Sequence, residues 1–432
     1  MIPVRSRYSD SLHFFGISSP ARLIAEYGSP LYVYNEDVLR ARCREMKNLV
    51  ELPGFTACFS TKANGNPHLL RVIREEGLSA DAMSPGEVAL LRQAGFDKNS
   101  ICYVCNNVAA GELAIAAKEA AHVSVDSLSQ IESFGRLYPG GAVMVRVNPG
   151  IGAGHHQKVI TAGKNTKFGV VPEDFPRMRA LLKQYSLTLV GLNQHVGSLF
   201  MDAVPYQEAA QWLLETAVSF PGLGIIDFGG GFGIPYRKYD GEKRLDLHAF
   251  SRSFTALLKD WSARTGFCGS FVIEPGRYVV AESGLLLGTA HAVKNNGPVR
   301  YVGTDMGFAV LARPMMYDSF HDVEIYPGAN EAKGGHAEIP ADTRTNARPE
   351  CLQTIVGNIC ETGDVLAKDR MLPEIREGDI IGMLDAGAYG HAMSSNYTQR
   401  LRPAEVLIRN DGSSRLIRRR DSIEDILAVY PR

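Results

Sequence analysis

Four short stretches carry residue types that can do chemistry. They are Lys62 in Phe59-Ser60-Thr61-Lys62-Ala63-Asn64, His195-Val196-Gly197-Ser198, Asp227-Phe228-Gly229-Gly230-Gly231-Phe232-Gly233, and Glu274-Pro275-Gly276-Arg277. Lys62 follows an apolar run, residues 55–59, that reads as a buried strand, and Asn64 can cap the helical pattern beginning at Pro67. An ammonium at the end of an interior strand is costly to desolvate, and burial lowers its pKa. That yields a nucleophilic amine able to form a Schiff base; the plain alternative is a lysine snorkelling out of the strand end. The glycine run lets the backbone turn sharply and bring N–H groups against an anion, which favours a phosphate. It is also consistent with a simple tight turn, and it matches neither G-x-G-x-x-G nor the lysine-bearing P-loop. An amine for a Schiff base plus a phosphate cradle suggests pyridoxal 5'-phosphate, whose ring nitrogen needs an acid or a cation as partner. Glu274 is the natural candidate, since a carboxylate keeps that nitrogen protonated; otherwise it pairs with Arg277 or Arg146. His195 could lie flat on the ring or be a satisfied core residue.

These residues need a scaffold that brings them to one place. From about Pro53 a strand–helix alternation begins. Strands end near Thr61, Ala82, Val104, Val125, Val147, His195, Phe228 and Glu274. Helical patterns occupy 67–76, 86–94, 111–120, 128–137, 173–185, 206–220 and 246–265. Eight strands with helices between them give an α/β fold, and a (β/α)8 TIM-like barrel more than an open doubly wound sheet. Chemistry in a barrel sits at the C-terminal strand ends. Here every such end is polar or Gly-rich: Lys62; Asp81 and Ser84; Asn106 and Asn107; Asp126; Arg146 and Asn148; His195 and Ser198; Gly229 to Gly231; Glu274 to Arg277. Phosphate often binds after the seventh and eighth strands, where the last two groups fall. Beyond Gly284 short alternating runs replace the helices, at 285–293, 299–302, 323–325, 353–356, 380–384, 405–408 and 415–419, with a short helix near 422–428. This predicts a mostly-β domain. The expected division is a barrel over 36–283, with 1–35 and 284–432 forming a β domain that completes the active site. Residues 328–350 are polar and aperiodic and read as a long surface loop.

Composition excludes several classes. Among 432 residues, 45% are hydrophobic and 22% charged, ordinary for a soluble globular chain. A formal net charge of -1 gives no electrostatic case for nucleic acid or an anionic membrane. No apolar run approaches the ~20 residues of a membrane span, and the N-terminus lacks the apolar core of a signal peptide. Seven scattered cysteines suit a reducing cytoplasm better than a disulfide framework. Cys102 and Cys105 have zinc-like spacing but no second pair, so they read as strand residues and no metal site is expected.

Taken together, the motifs resemble the alanine-racemase-like (fold type III) pyridoxal-phosphate decarboxylases. The family's K-A-N-x-N-P stands here as Lys62-Ala63-Asn64-Gly65-Asn66-Pro67, and His195-Val196-Gly197-Ser198, Gly229-Gly230-Gly231 and Glu274-Pro275-Gly276-Arg277 also match. Cys360-Glu361-Thr362-Gly363-Asp364 looks like C-E-S-x-D. Asp385-Ala386-Gly387-Ala388-Tyr389-Gly390, followed by Ser394-Ser395-Asn396-Tyr397, is close to the pattern of the diaminopimelate decarboxylases. The likeness runs in order from about Tyr32 to Val406. It implies that Lys62 holds the cofactor as a Schiff base, His195 stacks on its ring and Glu274 pairs with its nitrogen. It further implies that Ser198, Gly230, Gly231, Gly276 and Tyr389 bind or flank the phosphate, with Tyr389 also at the substrate. Arg277, Arg313 and Tyr317 would hold the distal carboxylate of the substrate, Glu361 its distal amino group, and Cys360 would return the proton after carbon dioxide leaves. In this family Cys360 and Glu361 reach the site from the other subunit, which implies a homodimer with shared active sites.

The expected reaction is decarboxylation of meso-2,6-diaminopimelate to L-lysine, the last step of lysine biosynthesis. Arginine forks suit a carboxylate bidentately, which separates this substrate from ornithine or lysine, whose side chains end in an amine. The alternatives are another amino acid as substrate (D-ornithine, D-lysine or a carboxylated polyamine), an amino-acid racemase, or a non-catalytic pyridoxal-phosphate-binding protein. Glu274 argues against a racemase, because racemases of this kind use an arginine at the ring nitrogen. A second domain argues against the non-catalytic proteins, which tend to be bare barrels. Three places depart from the family pattern: Gly150-Ile151-Gly152-Ala153-Gly154-His155-His156-Gln157, read as a loop more than a substrate contact; Thr304-Asp305-Met306-Gly307-Phe308-Ala309, in place of D-x-G-M-x-D; and the long loop at 328–350.

Overall fold

The computed structural model describes residues 7–150, 166–328 and 348–431. The histidine pair His155 and His156 and nearly all of the 328–350 loop lie outside the described residues. The chain divides into two compact units. One comprises Arg40–Pro235 and Lys243–Val279; the other comprises the chain up to Leu39, Tyr236–Glu242 and the chain from Val280 onward.

Strand β1 (Leu31–Asn35) belongs to the second unit; the next eight strands form the first. They are β2 (Phe55–Ser60), β3 (Ser79–Ala82), β4 (Ile101–Val104), β5 (His122–Val125), β6 (Ala142–Arg146), β7 (Thr188–Asn193), β8 (Ile225–Asp227) and β9 (Ser270–Ile273), and they close into a barrel in chain order. All pairs are parallel, and β9 returns to β2 in the register Phe55 to Phe271, Thr56 to Val272 and Ala57 to Ile273. Each strand is followed by a helix, and local chemistry starts several of them. Ser84, Ser127 and Asp246 accept backbone N–H bonds as N-caps of Pro85–Ala94, Leu128–Leu137 and Leu247–Thr265. The helix Pro67–Glu75 is capped by Asn66, whose side chain accepts from the His68 N–H. Asn64, the residue expected to cap it, instead accepts from the Asn66 N–H at 3.0 Å. The reason is Pro67: it takes the first helical position, where a missing N–H costs nothing, so the cap must be its immediate neighbour.

The second unit is a nine-stranded assembly. Its further strands are β10 (Gly284–Asn296), β11 (Val299–Thr304), β12 (Val323–Tyr326), β13 (Glu350–Val356), β14 (Val365–Pro373), β15 (Ile380–Met383), β16 (Ala404–Ile408) and β17 (Ser414–Arg418). The order is β14-β13-β11-β10-β1-β16-β17, with β12 and β15 paired to each other and β15 to β10. The N-terminal β1 lies between β10 and β16, antiparallel to one and parallel to the other. Its core packs Phe14, Phe15, Leu31, Val33, Leu285, Leu287 and Val406. Burying a side chain of that size contributes about 1.5–3 kcal/mol. Strand β14 was not legible as a strand, because Lys368, Asp369 and Arg370 interrupt its apolar ends and Asp369 takes a left-handed φ of 48°. Among the described residues no helix is long and apolar enough to cross a membrane, and none of the seven cysteines is paired.

Candidate active site

Lys62 sits in the 3-10 turn Thr61–Ala63 that follows β2, one step beyond the strand itself. Hydrogen bonds on both sides hold this turn. Ser60 N–H donates to the Pro275 carbonyl at 3.3 Å, and Ser60 Oγ donates to Asp81 Oδ2 at 2.6 Å and lies 3.2 Å from the Glu274 carbonyl. A Cβ on Gly276 would stand 3.0 Å from the Ser60 Cβ and 3.1 Å from that of Ala63, so the β9 loop lies directly against the lysine turn. The barrel unit therefore brings Lys62, Asp81, Glu274 and Gly276 to one end of the barrel.

The glycine run owes its composition to the same crowding. A Cβ on Gly230 would lie 1.9 Å from the Glu274 carbonyl oxygen, and Gly231, at φ +114°, would meet the Gly197 carbonyl at 2.6 Å. Aromatic rings anchor the loop: Phe232 packs at a tilt against Phe200 at 4.9 Å and Tyr206 at 5.3 Å, and Tyr206 Oη donates to the Gly229 carbonyl at 3.2 Å. Two of its N–H groups are engaged inside the protein. Gly229 N–H donates to Asp227 Oδ1 at 2.9 Å and Gly230 N–H to His195 Nδ1 at 3.1 Å. Those two N–H groups are therefore committed to internal bonds. The reason is that the run turns back on the ends of β7 and β8.

The bond to His195 fixes a tautomer. Nδ1 accepts, so a neutral ring carries its proton on Nε2. Burial, with the charges of Lys62 and Arg146, holds His195 well below the usual histidine pKa, so the ring is neutral. Arg146 lies over the Phe168 ring at 4.6 Å, and its Nη2 donates to the His195 carbonyl at 3.4 Å.

Three buried carboxyls face Lys62 and Arg146. Burial pushes Asp81 and Glu274 well above the usual range; the charge of Glu274 adds to it at Asp81, that of Asp227 adds to it at Glu274, and Lys62 opposes it at both. Asp227 is pushed up to about 7, chiefly by burial. Asp227 and Glu274 hydrogen-bond to each other, which requires one proton between them. Glu274 Oε1 is buried and, among the described residues, has no hydrogen-bond partner. A buried acceptor left unpaired costs about 1–3 kcal/mol, so the site calls for a donor at that atom. A protonated ring nitrogen is such a donor, and the amine of Lys62 beside it is the group a carbonyl-bearing cofactor needs. The residues present fit pyridoxal phosphate. Arg277 Nη2 donates to Ser198 Oγ at 2.9 Å, which places those two predicted residues together on the same unit. Asp81, Arg146 and Asp227 were visible only as polar strand ends; an acid closing an otherwise apolar strand was the signal available.

The remaining predicted residues lie in the second unit. Arg313 opens the helix Arg313–Tyr317 and is 2% exposed; Tyr317 closes that helix. Cys360 and Glu361 are exposed in a turn before β14, where Tyr397 Oη donates to Glu361 Oε1 at 2.6 Å. Asp364 ties this turn to the segment that departs from the family pattern, accepting from the N–H groups of Phe308 at 2.7 Å and Ile359 at 3.1 Å. Tyr389 takes a left-handed φ of 56°.

Comparisons with known proteins give a consistent result. The family described as pyridoxal-dependent decarboxylase, pyridoxal binding domain, matches residues 36–281. A diaminopimelate decarboxylase of Methanothermobacter thermautotrophicus is 37% identical over 424 residues, covering 95% of this chain and 94% of that protein. One from Escherichia coli K12 is 33% identical over 421 residues, covering 94% and 95%. Among solved structures, a diaminopimelate decarboxylase superposes with a TM-score of 0.85 at 32% identity, covering 96% of this chain and 98% of that one. The Helicobacter pylori enzyme complexed with L-lysine gives 0.82 at 27% identity, covering 94% and 98%.

Proposed function

The chain belongs to the pyridoxal-dependent decarboxylases, and from that premise we propose that it decarboxylates meso-2,6-diaminopimelate to L-lysine. The observation that carries the reaction class is the buried Glu274 Oε1, without a hydrogen-bond partner among the described residues, at the barrel end that holds Lys62; the substrate follows the relatives named above. When bound, the cofactor draws off the electron pair left as carbon dioxide departs. Lys62 supplies the amine that holds the cofactor and releases it to substrate. Glu274 keeps the ring nitrogen protonated, with Asp227 sharing its proton on the other side. The neutral His195 ring offers a flat face, and Ser198, Gly230, Gly231, Gly276 and Tyr389 bind or flank the phosphate. Arg277, Arg313 and Tyr317 take the distal carboxylate, Tyr389 also borders the substrate, and Glu361 takes the distal amino group. Cys360 Sγ returns a proton to the α-carbon.

The exposure of Cys360 and Glu361 supports a homodimer in which each subunit supplies them to the other's site. The unpaired cysteines support a cytoplasmic setting. The test is carbon dioxide release by the purified protein with added pyridoxal phosphate. Turnover of meso-diaminopimelate, with none of D- or L-ornithine or D- or L-lysine, is expected. Turnover of a diamino monoacid instead would keep the cofactor and overturn the substrate.

A further inference from the structure

Three of the groups that contact Arg313 are neutral, and their hydrogen-bond roles can be worked out from the atoms involved. All belong to the second unit. Arg313 begins its short helix, Asp318 turns the chain at φ 50°, and His321 comes back beside it, 1% exposed. Arg313 Nη1 lies 3.1 Å from Tyr236 Oη and 3.1 Å from His321 Nε2, and Nη2 lies 3.3 Å from Ser319 Oγ. The guanidinium carbon stands 4.9 Å from the Tyr236 ring centroid. On its far side the His321 ring places Nδ1 2.7 Å from the Leu384 carbonyl oxygen.

Those two contacts fix the proton on His321 independently. A carbonyl oxygen has no hydrogen to give, so Nδ1 must carry one. A guanidinium has no lone pair to offer, so Nε2 must accept. Both ends demand the same neutral tautomer. An imidazolium in the same place would aim an N–H at a cation. Both hydrogens of Nη1 are then directed, one to Tyr236 and one to His321. A carboxylate taken by Arg313 has to approach on the Nε–Nη2 side. Tyr236, His321 and Ser319 carry no negative charge, so these three contacts orient the guanidinium without neutralising it.

We propose that His321 is a positioning residue for substrate recognition: anchored by the Leu384 carbonyl, it sets the plane in which Arg313 meets the distal carboxylate. This rests on the function proposed above. Tyr236, in the segment Tyr236–Glu242 that belongs to this unit, shares the task.

The test compares wild type, His321→Leu, which keeps bulk but cannot accept, and His321→Gln, whose carbonyl oxygen can. Each is assayed for carbon dioxide release from meso-diaminopimelate with pyridoxal phosphate bound. His321→Leu should raise KM roughly ten- to a hundredfold, the worth of a hydrogen bond to a charged group. Its kcat should stay within about threefold, and the cofactor's absorbance should be unchanged. His321→Gln should recover most of the KM. In an Arg313→Met background, His321→Leu should raise KM no further, because the group it positions is gone. An unchanged KM in His321→Leu, no recovery in His321→Gln, or additive effects with Arg313→Met would overturn the proposal. A wild type idle on meso-diaminopimelate would instead overturn the functional reading, and this inference with it.

Discussion

Replacing Asp227 by asparagine should flatten the pH dependence of stability of the cofactor-free protein between mildly acidic and mildly alkaline conditions. Asp227 closes β8, is 1% exposed, and accepts from the Gly229 N–H at 2.9 Å. Burial raises its pKa from 3.8 to about 7. The folded state therefore holds the proton more tightly than the unfolded chain. The resulting stabilisation is complete below pH 3.8, drains away as pH rises, and is gone above about 7. The gap between those two values, at about 1.4 kcal/mol per pH unit, amounts to on the order of 4 kcal/mol. Asparagine has the same shape, its Oδ1 still accepts from Gly229, and it has no proton to lose. It also removes the like charge beside Glu274, which acts in the same direction. Urea denaturation of the cofactor-free wild type and Asp227→Asn at intervals from pH 4 to 8 measures the difference. Wild type should lose on the order of 4 kcal/mol more than the variant across that range, most of it below pH 7. Parallel curves would show that Asp227 ionises in the folded protein as it does in water, and would remove the proton shared with Glu274.

Lys62→Ala should abolish the cofactor's visible absorbance band; a band that persists would take Lys62 out of its role. Cys360→Ala should leave the cofactor bound while lowering turnover about a hundredfold or more, the usual scale of a positioned proton donor, and unchanged turnover would exclude the thiol. Gly230→Ala should destabilise the barrel by about 3 kcal/mol or more, since its Cβ would lie 1.9 Å from the Glu274 carbonyl; a melting temperature equal to wild type would refute the close approach.

Sequence by itself determined what depends on neighbours along the chain. Parallel barrel strands are buried on both faces, so most of β2 to β9 appear as short apolar runs. Helix starts are written in single side chains such as Ser84, Ser127 and Asp246. The strand-end positions of Lys62 and Glu274 follow from those runs, and the resemblance to a family supplied their roles. Tertiary structure decided what depends on which distant groups meet. Gly230 and His195 are 35 residues apart, and only the fold shows that one donates to the other and sets its tautomer. Asp227 reads as the end of a strand; that it shares a proton with Glu274 follows from the pairing of β8 with β9 and from the removal of water around both. Strand β14 was hidden because its middle is polar, and it exists through its pairing with β13 rather than through its own pattern. Tyr236 and His321 carry no local signal, and Arg313 is found in the sequence only through the family resemblance. Their arrangement arises where a segment leaves the barrel sequence and packs with the β unit. Desolvation and hydrogen-bond roles are properties of such meetings, and local spacing does not encode them.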